Sequence, residues 1–150
     1  MIPKQHLKSL SKIYFEDSNF LLLDNRIRNA FYLGGYSLEL ALKWKICHLH
    51  RLDEGYPESA ADLNIYKKKK YKVTQTFKNA SSIQPFKTHE LTTLIELSGI
   101  ELQLKKYHFE EWISVSIWNP EFRYQYQNPN ANDVQIFLRG VNTIVSNIIN

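Results

Sequence analysis

The sequence predicts an all-α fold, an up-and-down bundle of about five helices interrupted by one long flexible insertion. Three observations predict it. Apolar residues recur at three- and four-residue intervals through most of the chain. Helix breakers are scarce, with five Gly and five Pro, whereas aromatic residues reach 13%. A chain of 150 residues that is 43% hydrophobic can build one sizeable core but is short for two, so residues 1–150 are read as a single domain.

The first segment runs from about Pro3 to Asp24. Leu7, Leu10, Ile13 or Tyr14, and Leu21 fall at helical spacing, with Lys4, Lys8, Lys12 and Glu16 on another face. Pro3 suits a first helical turn, where its missing N–H is not needed. The second segment, about Arg26 to Leu52, is apolar nearly all round, with Phe31, Leu33, Tyr36, Leu38, Leu40, Trp44, Ile46 and Cys47 among its residues. Such a helix belongs in the middle of a domain. Its charges Glu39, Lys43 and Lys45 exclude a membrane span. Gly34 and Gly35 within it cost about 1 kcal/mol each relative to alanine. They imply the close approach of another backbone or, alternatively, a kink.

From about Asp53 to Lys87 the periodicity is lost. Gly55-Tyr56-Pro57 opens this stretch and Ser81 to Pro85 closes it. Residues 54–87 therefore read as a mobile connection with room for a short helix, and a loop of that length tends to be functional or disordered. Thr88 is placed as an N-cap for a helix over His89 to Ser98, and Gly99 as its left-handed C-terminal residue. A fourth helix is expected from Glu101 to about Ile117, ending before Pro120. A fifth runs from about Asn132 to Ile148, where Val134, Phe137 or Leu138, Val141, Ile144 or Val145, and Ile148 recur at three and four.

The net charge of +4 permits an anionic partner without requiring one. Cys47 is the single cysteine, so no intramolecular disulfide can form. No stretch approaches the ~18 apolar residues of a membrane span, and the first residues do not resemble a signal peptide. A cytoplasmic setting without a membrane partner is the expectation.

Three segments resemble the HEPN domain family. Ala30-Phe31-Tyr32-Leu33-Gly34-Gly35-Tyr36-Ser37-Leu38-Glu39-Leu40-Ala41-Leu42-Lys43 is similar to that family's second-helix signature. Thr88-His89-Glu90-Leu91 with Leu94, Leu97 and Ser98-Gly99-Ile100 resembles a later segment, and Trp118-Asn119-Pro120-Glu121-Phe122-Arg123-Tyr124 resembles a third. The order is also the family's. The resemblance implies a helical bundle with a long central connection. It implies a homodimer, or pairing with a minimal nucleotidyltransferase in toxin–antitoxin or defence-type systems, and binding of RNA or a nucleotide. Many members of the family cleave RNA with an arginine followed by a histidine after four to six residues. None of Arg26, Arg28, Arg51, Arg123 and Arg139 has that histidine; after Arg123 the corresponding stretch includes Gln127, Asn128 and Pro129. Arg123 can supply a cation beside a phosphate, but glutamine cannot move a proton. The resemblance therefore implies a non-catalytic member, with two alternatives: a ribonuclease with a non-standard site around Arg123, Tyr124 and His89, or a purely structural protein-interaction bundle.

The candidate ligand-binding residues are Glu39, Lys43, His89, Arg123 and Tyr124. Glu39 and Lys43 are four apart, in the favourable order for a helical ion pair. One reading makes that pair structural; the other makes it line a polar pocket with Arg123 and Tyr124. The nucleic-acid candidates are Lys67, Lys68, Lys69, Lys70 and Lys72, flanked by Tyr66 and Tyr71, whose rings could stack on bases while the lysines hold phosphates. The alternative is a solvated face. His48 and His50 face different directions on a helix, and neither a metal-ligand spacing nor a phosphate loop occurs. No metal and no cofactor is expected.

Overall fold

The computed structural model describes residues 1–70, 72–125 and 129–149. It is an all-α helical bundle. A 20-residue helix α1 (Lys4–Leu23) is followed after three residues by the 24-residue α2 (Ile27–His50). So short a link makes the two helices antiparallel neighbours. Halfway along, the Ser11 hydroxyl donates to the Ser37 carbonyl at 2.8 Å, and the Ser37 hydroxyl returns a bond to the Ser11 carbonyl at 2.7 Å. All four groups are buried, so each hydroxyl satisfies its own hydrogen-bonding need while drawing the helices together.

Helix α2 is the centre of the molecule, as its all-round apolar character requires. It packs on α1, on α8 (Ala131–Ile149) and on α5 (Leu91–Ser98). Helix α8 buries Val134, Phe137, Leu138, Val141, Ile144 and Val145, a stripe at helical spacing. Phe31 joins α2 to α8 through a 4.6 Å ring contact with Phe137. The Gly34–Gly35 pair faces side chains, not another backbone. A β-carbon on Gly34 would lie 2.3 Å from Leu138 Cδ2, and one on Gly35 would lie 1.9 Å from the Trp118 indole. The helix continues unbroken through both positions.

Two boundaries differ from expectation. The segment from Glu101 to Ile117 is two helices, α6 (Glu101–Tyr107) and α7 (Phe109–Ser116), parted at His108, whose φ of −140° is extended. Thr88 does not cap α5: the cap residue is Glu90, and the Thr88 hydroxyl accepts the Glu90 N–H. Gly99 closes α5 in the left-handed conformation expected of it.

The stretch read as a mobile connection holds a two-residue strand β2 (Gly55–Tyr56) and helices α3 (Ala60–Lys68) and α4 (Gln75–Lys78). Strand β2 pairs antiparallel with β1 (Ile2–Pro3), so the loop after α2 is tied to the start of α1. Four aromatic rings anchor the stretch. Tyr66 is fully buried; its hydroxyl donates to the Gly55 carbonyl at 2.6 Å and accepts the Gly55 N–H. The Tyr56 hydroxyl donates to the Phe86 carbonyl, and Phe77 stacks on Phe86 at 4.2 Å. His50, at the end of α2, lies 2.6 Å from the Thr74 hydroxyl and 3.0 Å from the Leu97 carbonyl. A carbonyl needs a donor, so Nε2 carries the proton and Nδ1 takes that of Thr74.

Candidate functional site

Glu39 and Lys43 lie one turn apart on the middle of α2. Because that helix is buried on nearly every side, the pair is buried too, at 2% and 4% exposure, with Lys43 Nζ 2.7 Å from Glu39 Oε1. The same oxygen takes a second partner. His89, just ahead of α5, brings Nδ1 to 2.9 Å from it while remaining 52% exposed. A buried carboxylate thus fixes one nitrogen of a half-exposed imidazole, which leaves Nε2 as the ring's other proton-carrying position. The Lys43 ammonium also lies 5.2 Å from the Tyr56 ring centre. A recess of about 230 Å³ opens over this group, with Lys43, Tyr56, Phe86, Lys87 and His89 in its walls.

Arg123 and Tyr124 do not line that recess. They sit on a short 3-10 turn (Pro120–Tyr124), which begins with Asn119 accepting the Glu121 N–H. Phe122 pins the turn to α2 through an edge contact with Phe31 at 4.8 Å, and the Arg28 guanidinium donates to the Arg123 carbonyl. Two tyrosines make the link to His89. Arg123 stacks on Tyr124, with its guanidinium carbon 4.6 Å from the ring centre. The Tyr32 side chain beside Arg123 raises the pKa of that guanidinium. Tyr32 lies 4.9 Å from Tyr36, and Tyr36 lies 6.4 Å from His89 and edge-on to Trp118 at 5.8 Å. Burial, together with Tyr32, raises the pKa of the Tyr36 phenol and keeps it protonated. The result is a strip of aromatic rings in which Arg123 lies between Tyr124 and Tyr32 and the His89 imidazole forms the far end. Sequence reading placed its two ends and missed its middle, although Tyr32 and Tyr36 are four apart and so share a helix face.

The lysine run is a separate feature. Lys67 and Lys68 end α3, and Lys69 is held by an ion pair with Glu54. Lys70 and Lys72 are exposed, and Lys78 donates to the Lys70 carbonyl. Tyr66 is not a stacking platform, because its ring is in the core. Tyr71, Gln127 and Asn128 lie outside the described residues. Cys47 is fully buried, and desolvation pushes its thiol up to about 12, the setting of an inert structural cysteine. Among the described residues no group of three potential metal ligands occurs, and no helix is long and apolar enough to cross a membrane. Comparison of the chain with protein-family models, with curated proteins and with solved structures found no match to any of them.

Proposed function

We propose that this chain is a non-catalytic, HEPN-like module that binds single-stranded RNA along the strip from Tyr124 and Arg123 through Tyr32 and Tyr36 to His89. The observation that carries the reading is the run of rings with the Arg123 guanidinium among them. A run of rings with a guanidinium at one end suits a strand whose bases stack while a phosphate is neutralised, and each stacked base contributes ~1–3 kcal/mol. Arg123 and Arg28 supply the charge at one end, and Lys67, Lys68, Lys70 and Lys72 offer further phosphate contacts elsewhere on the surface. The missing arginine–histidine spacing supports the non-catalytic part.

The test is binding of short single-stranded RNA at low and moderate salt, with cleavage scored on the same samples. The expected result is salt-sensitive binding without cleavage, weakened roughly tenfold by Tyr124→Ala, which removes an exposed ring and little packing. Absence of binding at low salt would sink the reading and favour a protein-interaction bundle, because phosphate contacts are strongest there.

The Glu39–His89 contact favours a second reading, a ribonuclease with a non-standard site. A histidine oriented by a buried carboxylate suits proton transfer, and Arg123 lies on the same strip. Metal-independent cleavage abolished by either His89→Ala or Arg123→Ala would establish that reading in place of the first.

A further inference from the structure

A cavity of about 500 Å³ is lined by none of the residues of that strip. It lies between the first turns of α1, the Trp44 indole on α2 and the loop that leads into β2. The β1–β2 pairing holds these parts together. Trp44 is only partly buried, although most of its helix is buried, because its ring forms this wall.

Two of the four charged groups around the cavity are already engaged. Lys8 donates to the Ile149 carbonyl at 3.1 Å and lies 5.2 Å from the Trp44 ring centre. Glu54 is paired with Lys69, whose ammonium holds that carboxyl below its ordinary range. Lys4 and Asp53 have neither an ion pair nor a side-chain hydrogen bond among the described residues. The cavity therefore presents one free cation, one free carboxylate and the edge of the Trp44 indole, on whose ring Lys8 and His48 also pack. A simple anion would meet the carboxylates of Asp53 and Glu54. A simple cation would meet the ammonium groups of Lys4 and Lys8. A molecule with opposite charges at one end and an apolar part at the other satisfies all three features, and the volume falls in the range of small-molecule sites.

We propose that this cavity binds a free α-amino acid with an apolar side chain, its carboxylate on Lys4, its ammonium on Asp53 and its side chain against Trp44. The test follows the indole N–H signals of the full chain by NMR, with that of Trp44 assigned through Trp44→Phe. The probes are L-leucine, N-acetyl-L-leucine, which lacks the cation, and L-leucinamide, which lacks the anion. Leucine is expected to shift the Trp44 signal saturably, and each blocked derivative is expected to bind at least about tenfold more weakly, the size of one charge-assisted contact. Lys4→Gln and Asp53→Asn are each expected to weaken leucine by a similar factor. No shift with leucine at roughly 10 mM would overturn the proposal. So would N-acetyl-leucine binding as well as leucine, which would mark an anion site, or leucinamide doing so, which would mark a cation site. Unweakened binding in both variants would overturn it too.

Discussion

One oxygen of Glu39 is within hydrogen-bonding distance of two nitrogen groups, and these two neighbours are unequal. Lys43 is buried with it, whereas His89 is half in solvent. Removing the carboxylate leaves the Lys43 ammonium in the core without its counter-charge, a loss of about 3–5 kcal/mol for a buried pair. Glu39→Ala is therefore expected to lower the urea midpoint strongly, with an unchanged m-value. Glu39→Leu combined with Lys43→Met, which removes both charges and keeps the volume, is expected to restore most of the stability. If the double variant is no more stable than the single one, the ion pair is not the source of the loss. The Glu39–Lys43 pair was legible in the sequence, because four-residue spacing on an apolar helix places both groups together. The His89 bond was not, because its partner is fifty residues away and only the docking of α5 on α2 brings the two within reach.

At the scale of elements, the long helices and α5 were readable, whereas α3, α4 and the division of α6 from α7 were not. The ends of α1, α2 and α8 fall within two residues of the positions read from periodicity and breakers. The break between α6 and α7 was invisible, since Leu104, Trp112 and Val115 keep a helical period across His108. The glycine pair was noticed, but its partner was misjudged, because local spacing cannot say that the Trp118 side chain packs there. Gly35→Ala tests this packing. In an isolated helix that change would stabilise by about 1 kcal/mol. Here the new methyl group would lie 1.9 Å from the indole, so the ring must leave. The expected outcome in thermal melts is a destabilisation of about 1–3 kcal/mol from overpacking. Adding Trp118→Ala to Gly35→Ala is expected to cost less than Trp118→Ala costs alone. Simple additivity of the two changes would mean that the methyl group and the ring do not meet.

Across the whole molecule, the main difference between sequence and structure lies in residues 54–87, where the absence of a helical period suggested a loose connection. That inference treats secondary structure as the carrier of order. In this chain the carriers are single aromatic anchors: Tyr56, Tyr66, Phe77 and Phe86 are each buried, and two of them end in hydroxyls that satisfy backbone groups. Such anchors leave no periodic trace, because each is set by where the backbone passes over the core and not by a repeat. The order they confer is measurable by native-state hydrogen exchange. If the rings hold the segment, the Tyr66 and Phe77 amides should open with free energies of at least about 3 kcal/mol, well above the near-zero values of mobile loops. The segment then also gives the lysines at its surface a fixed position relative to the bundle. Exchange of both amides at the rate of an unstructured peptide would show that the rings do not hold the chain, and the lysines would then have to be treated as a tethered, moving charge. Tyr66→Phe separates the two contributions. It keeps the ring in the core and removes the hydroxyl that serves Gly55, so it should lower protection at Gly55 and the neighbouring turn more than at Phe77.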